Sequence, residues 1–226
     1  AATTEHPIIV VTGARQTGKS TLLRNAEPFR YWRFLSLDDL AVLRQARERP
    51  EALWAGVDHV VLDEVQRAPD LLSAVKLAVD QSGGRLRFAL SGSASLLLMR
   101  RVSESLAGRA VYFVLHPMAL GEMVGLAAPQ LLGQALAGRL PDEGIAPPPP
   151  DPVDLVQRGC MPALLTRRSS QAWTQWWDGY VATYLERDLR QMSQVESLVD
   201  FRRVMALLAL RTGQLLNQSE VARDAG

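Results

Sequence analysis

Residues 13–20, GARQTGKS, set two glycines, a lysine and a serine in the spacing Gly-x-x-x-x-Gly-Lys-Ser. That spacing suits one kind of chemistry, the cradling of a phosphate chain. Gly13 and Gly18 let the backbone curl until successive N–H groups converge on one point. The amides of Ala14, Arg15, Gln16 and Thr17 then face a polyphosphate. Thr21 follows in the first turn of a helix whose N-terminus adds partial positive charge. Lys19 is placed for the β- and γ-phosphates, and the Ser20 hydroxyl for Mg2+. The chain has two lysines, Lys19 and Lys76, against 23 arginines. A lysine in this slot therefore points to a geometric requirement and not to habit. The plain alternative is a solvated glycine-rich turn.

HVVLDEV, at 59–65, supplies a partner. Its strand ends in Asp63 and Glu64, at the sheet edge where open α/β folds bind ligands. Asp63 reads as the holder of the Mg2+ shell, and Glu64 as the base that orients and deprotonates an attacking water. The alternative is two surface carboxylates. Such a pair favours hydrolysis over phosphoryl transfer to a small acceptor. In LSGSAS (90–95), Ser91 or Ser93 is placed to bond the lytic water or the γ-phosphate. Ser93 or Ser95 reads equally as a helix N-cap. No Asn-Lys-x-Asp guanine motif occurs, which leans the base to adenine and the nucleotide to ATP. In ESLAGRAVYF (104–113), Gly108 suits a helix C-cap, and Arg109 follows at once. Arg109 is either a cation settled at the helix's negative end or a side chain aimed at a ligand.

These residues need a frame that brings them to one edge. PIIVVTG (7–13), YWRFLSL (31–37), HVVLDEV (59–65), LRFALSG (86–92) and AVYFVLHPM (110–118) read as strands. Helical segments alternate with them: one opening at Lys19, a stretch over 38–56 broken near Pro50, and 69–81 with Pro69 in its first turn. The last helix lies over 94–108. In 69–81, Leu71, Leu72, Val75, Ala78 and Val79 share a face. The alternation predicts an α/β fold with a parallel, doubly wound sheet.

With 47% hydrophobic and 22% charged residues and net charge +1, the 226-residue chain can bury one sizeable core. It lacks the basic surface of a nonspecific nucleic-acid binder. Residues 153–226 hold nine arginines against eight acids, so no basic tail hides there. The single cysteine, Cys160, excludes an internal disulfide or a cysteine-based zinc cluster and reads as a small hydrophobe. With no run of 18 apolar residues and no signal-peptide pattern, the expectation is a soluble cytoplasmic protein without a membrane partner. The chain begins without methionine and almost directly at a strand, as a fragment would.

After Met118 the pattern changes. Residues 119–140 read as helical, and the proline-rich stretch 140–152 as an extended spacer. WTQWWDGYVATYLERDLRQM (173–192) reads as one long helix with a Trp173, Trp176, Tyr180, Tyr184 stripe and a Trp177, Val181, Leu185, Leu189 stripe, both core. A further helix follows near 198–211. The expected organisation is a core at 1–118, a connector at 119–152 and a helical lobe at 153–226.

The phosphate loop, LDEVQRAP, LSGSASLLLMRRVSESLAGR, YLERDL (184–189) and LLALRTGQLLNQSEVARDAG (207–226), in this order, resemble bacterial and archaeal AAA-type ATPases that carry a C-terminal domain of unknown function. The resemblance covers nearly the whole chain. It implies a five-stranded parallel P-loop sheet in the order 5-1-4-3-2 and ATP with Mg2+. The chain as a whole reads as an ATP-hydrolysing switch whose nucleotide state moves a smaller helical C-terminal lobe. The resemblance also implies a winged helix. SEVARDAG looks like the start of a helix-turn-helix, and the chain ends before a recognition helix, so DNA binding is implied only for a longer chain. In such ATPases an arginine before the fifth strand often reaches a neighbouring subunit's γ-phosphate. Arg109 occupies that place, with Arg100 and Arg101 as rivals, and a homo-oligomer would follow. A small-molecule kinase and an ATP-gated nucleic-acid regulator are the competing functions; no arginine-rich lid marks the former.

Overall fold

The computed structural model describes residues 2–92, 106–125, 131–138, 151–185 and 197–226. Its centre is a five-stranded sheet of β1 (Ile8–Thr12), β2 (Arg33–Ser36), β3 (His59–Asp63), β4 (Arg87–Ser91) and β5 (Ala110–Val114). The order is β2-β3-β4-β1-β5, every pairing is parallel, and this is the expected 5-1-4-3-2 read from the other side. Ile8 pairs with Phe88 and Ala110, and Leu62 with Leu35 and Leu90.

Every residue of β1 is buried, as a central strand covered on both faces requires. Alternation of side chains sorts the strands onto two faces. Ile8, Val10, Val60, Leu62, Phe88 and Leu90 pack with helices Leu40–Glu48 and Leu71–Gln81. Ile9, Val11, Val61 and Ala89 pack around Leu23 of helix Lys19–Asn25, with Phe29 and Trp32 beside them. The apolar stripe of Leu71–Gln81 is buried at Leu71, Leu72, Val75 and Val79. Asp39 caps helix Leu40–Glu48 by accepting from the amides of Ala41 (2.7 Å) and Val42 (3.3 Å). Pro50 opens the short 3-10 helix Pro50–Leu53, where the break in 38–56 was expected.

Several local expectations change. Pro69 precedes its helix, which begins at Leu71 after Asp70. The fifth strand stops at Val114 and does not run on to Met118. Within 119–140 the described helices are Leu120–Met123 and Leu131–Leu136. The long helix over 173–192 is instead an α-helix Ser170–Tyr180 that widens into a π-helical turn, Val181–Leu185. Its later residues, Leu189 included, lie outside the described chain, as do residues 94–105 of the helix expected over 94–108 and the prolines 147–150. Trp173 and Tyr180 are buried, whereas Trp176 and Trp177 are only half-buried. Trp176 stacks on Tyr180 at 5.1 Å and meets Trp177 edge-on at 4.8 Å.

The described chain divides into two compact units, 1–173 and 174–226. The second holds helices Leu198–Leu210 and Gln218–Ala225, capped by Ser197 and Asn217 and tied by an Arg211–Asp224 ion pair. The start of SEVARDAG is thus helical. No described helix is long and apolar enough to cross a membrane.

Candidate functional site

In a parallel sheet all strands end at one edge, and the chemistry-bearing residues collect there. The loop after β1 carries 13–18, the helix that follows opens with Lys19 and Ser20, β3 ends in Asp63, and β4 ends in Ser91. Gly13 takes φ 147° and is buried; a Cβ there would lie 2.2 Å from the carbonyl oxygen of Leu115, just past β5. No side chain fits. Leu115 itself donates its amide to the carbonyl of Thr12 at 2.7 Å, so the end of β5 is fastened to the start of the loop. Gln16 (φ 62°) and Gly18 (φ 98°) supply two left-handed turns. Buried Thr17 closes the loop by donating its hydroxyl to the Ala14 carbonyl at 3.0 Å.

Lys19 opens the helix after this loop, yet its ammonium points back into it. Nζ donates to the carbonyls of Gly13 (3.1 Å) and Ala14 (2.7 Å), and the residue is 6% exposed. Burial lowers its pKa; the nearby carboxylates of Glu64 and Asp63 oppose that shift, and Arg15 adds to it. Ser20 is half-buried beside it, and Thr21 is exposed. Asp63 is 4% exposed and accepts a hydrogen bond from the fully buried Ser91 hydroxyl. The sequence placed both at one edge; their bond to each other was not foreseen.

Glu64 sits in the left-handed region at φ 59° and starts the 3-10 turn Val65–Arg67. Burial raises its pKa, as do the charges of Asp63 and Asp38, while a hydrogen bond from Gln66 and the charge of Lys19 pull it down. Gln66 donates Nε2 to Glu64 Oε2. Arg67 pairs with Asp38 at 2.6 Å and anchors the turn. Gln66 stands within LDEVQRAP, but no spacing rule marks a glutamine two residues past an acid.

Ser20 and Asp63 are the donors the sequence offers for a divalent cation. Among the described residues no group of three or more His, Cys, Asp or Glu converges into a cage. A hydroxyl with one carboxylate fits Mg2+, which keeps waters and phosphate oxygens as its remaining ligands. A loop curled by left-handed residues around a buried lysine likewise fits a polyphosphate.

Arg109 lies elsewhere. It precedes β5, at the opposite edge from the phosphate loop of the same chain, roughly 16 Å away along a five-residue strand. There it forks onto Asp80, with Nε to Oδ1 at 2.6 Å and Nη2 to Oδ2 at 3.0 Å. Asp80 stands near the end of helix Leu71–Gln81, and the arginine's hydrogen bond lowers its pKa. Gly108 takes the left-handed conformation (φ 75°) expected of a C-cap. Arg100, Arg101, Ser93 and Ser95 lie outside the described residues.

The family described as "AAA domain" matches residues 5–124, and one described as a domain of unknown function matches 150–226. The uncharacterized proteins Rv2008c of Mycobacterium tuberculosis and Mb2031c of Mycobacterium bovis are each 32% identical over 218 residues, which is 96% of this chain and 44% of theirs. The chain spans less than half the length of these relatives. A solved structure described as a sugar kinase from Janibacter sp. HTCC2649 aligns at 19% identity and a TM-score of 0.28, over 63% of this chain and 81% of that one. At that score the likeness carries no argument.

Proposed function

Because the chain belongs to the AAA-domain family, we propose that its first unit binds ATP with Mg2+ and hydrolyses it, and that the nucleotide state switches the helical C-terminal region. The observation that carries this reading is the buried Lys19 ammonium, folded onto the Gly13 and Ala14 carbonyls inside a loop that admits only glycine at 13. Those carbonyls are weak partners for a buried cation. Phosphate oxygens are stronger ones, and a phosphate in the loop would draw the Lys19 ammonium from these carbonyls. Ser20 and Asp63 would hold Mg2+, which when bound neutralises charge on the phosphates. Ser91 orients Asp63 through the hydroxyl it donates. Glu64 takes the proton of the attacking water; its raised pKa suits a base better than an ordinary carboxylate. Arg109 acts in a neighbouring subunit's site within a homo-oligomer, after leaving Asp80.

The test is calorimetric titration with ATP and GTP in the presence of Mg2+, followed by turnover with and without DNA. Lys19→Ala should lose ATP affinity while its Tm stays level or rises, since a costly buried ammonium is removed. Undiminished affinity in this variant would sink the phosphate-loop reading. Transfer of the phosphoryl group to an added small acceptor, in place of release to water, would replace the hydrolase with a kinase.

A further inference from the structure

Just past β3, two unfavourable features occur within three residues. Glu64 takes a left-handed backbone conformation that residues with a Cβ seldom adopt. Gln66 spends its amide donor on Glu64 Oε2, while its own Oε1 is buried with no hydrogen-bond partner among the described residues. Turning the amide over would not help: Oε1 would then face the carboxylate, and the two N–H donors would be the buried orphans. For packing alone, a methionine of equal length would fill the space without an orphaned atom. An arrangement this costly calls for a role that packing does not supply.

We propose that Gln66 is a positioning residue that latches the Glu64 carboxylate for attack by water. The inference rests on the hydrolytic reading of Glu64. A glutamate's terminal torsion is broad and roughly two-fold, so an unheld carboxylate presents either oxygen over a wide arc. With Oε2 held by the Gln66 amide, the carboxylate is fixed in one orientation, and Oε1, which that bond leaves unused, is the oxygen turned to the water. In the step it serves, the water oxygen bonds to the γ-phosphorus and the bond from that phosphorus to the bridging oxygen breaks. The bridging electron pair leaves with the nucleoside diphosphate, one proton of the water goes to Glu64 Oε1, and the other stays on the released phosphate. Gln66 itself touches no reacting atom. Its base is held by two contacts: the amide of Arg67 donates to the Glu64 carbonyl at 3.1 Å, and the Arg67–Asp38 pair joins the turn to the chain just past β2. A latch on a fixed turn restricts the carboxylate; a latch on a loose one would move with it.

Gln66→Met keeps length and volume, removes the donor and abolishes the orphaned carbonyl. The expected result is a Tm equal to or above the parent's, a KM for ATP within twofold, and kcat lowered about tenfold or more. Gln66→Glu, which keeps the shape but replaces the donor with a like charge, should lose kcat in the same direction. In a Glu64→Gln background, Gln66→Met should change the residual turnover less than twofold, because the latched group is gone. A parent-like kcat in Gln66→Met overturns the latch. So does a tenfold further loss in the Glu64→Gln background, or a lower Tm with kcat untouched, which would make Gln66 a structural residue. Absence of turnover in the parent protein fails the hydrolytic reading itself and takes the latch with it.

Discussion

Lys19 and Glu64 are both partly withdrawn from water, and burial shifts their pKa values toward the neutral forms. They nevertheless do different work in the proposed reaction, and substitution separates them. Glu64→Gln keeps shape and leaves Asp63 and Ser20 in place, so ATP affinity should hold while turnover falls roughly 10²-fold or more. A variant hydrolysing at the parent rate would make Glu64 a bystander. The convergence of these residues on one sheet edge was legible in the sequence, because the phosphate loop and the acidic pair are patterns of residue type and spacing tied to strand ends. Three things were not: the Ser91–Asp63 bond, the Gln66–Glu64 bond and the inward turn of Lys19. Each depends on where side chains meet across strands or after a left-handed turn, and no periodicity in the chain encodes that.

At the scale of elements, the sequence located all five strands, because β1, β3 and β4 are near-continuous apolar runs ending at glycine, acids or serine. Helix ends were harder. Asp70, not Pro69, adjoins the helix Leu71–Gln81, and a π-helical turn replaces the expected α-helix at Val181–Leu185. The aromatic stripe is where periodicity most overstated burial, since a shared helix face need not be covered along its whole length. Trp173 is 7% exposed and donates Nε1 to the Arg167 carbonyl at 2.7 Å. Trp173→Ala should cost about 3–5 kcal/mol, the range for a buried aromatic. Trp176→Ala should cost clearly less: it forfeits part of its burial and a ring stack worth about 0.5–1.5 kcal/mol. Chemical denaturation of both variants checks the order, and an equal or larger loss at Trp176 would restore the fully buried reading of that ring.

For the whole molecule, the open matter is whether it works alone. Arg109 cannot serve the phosphate loop of its own chain from the opposite sheet edge, and it is held by Asp80. If it serves a neighbour, specific activity should rise with protein concentration. Arg109→Ala should then lower turnover with ATP affinity nearly intact. Mixing Arg109→Ala with Lys19→Ala should restore part of the activity, one lending its arginine to the other's intact loop. Concentration-independent turnover that survives the substitution would leave Arg109 as a partner of Asp80 alone. One feature of the sheet bears on how binding would be felt at a distance. Leu115 presses its carbonyl on Gly13 and hangs its amide on Thr12, so the loop and the chain leaving the sheet at residue 116 share a single bearing. Displacing one of them strains the contact it makes with the other. If the loop shifts when it fills, the exit of β5 is the stretch of backbone that would bear the strain directly.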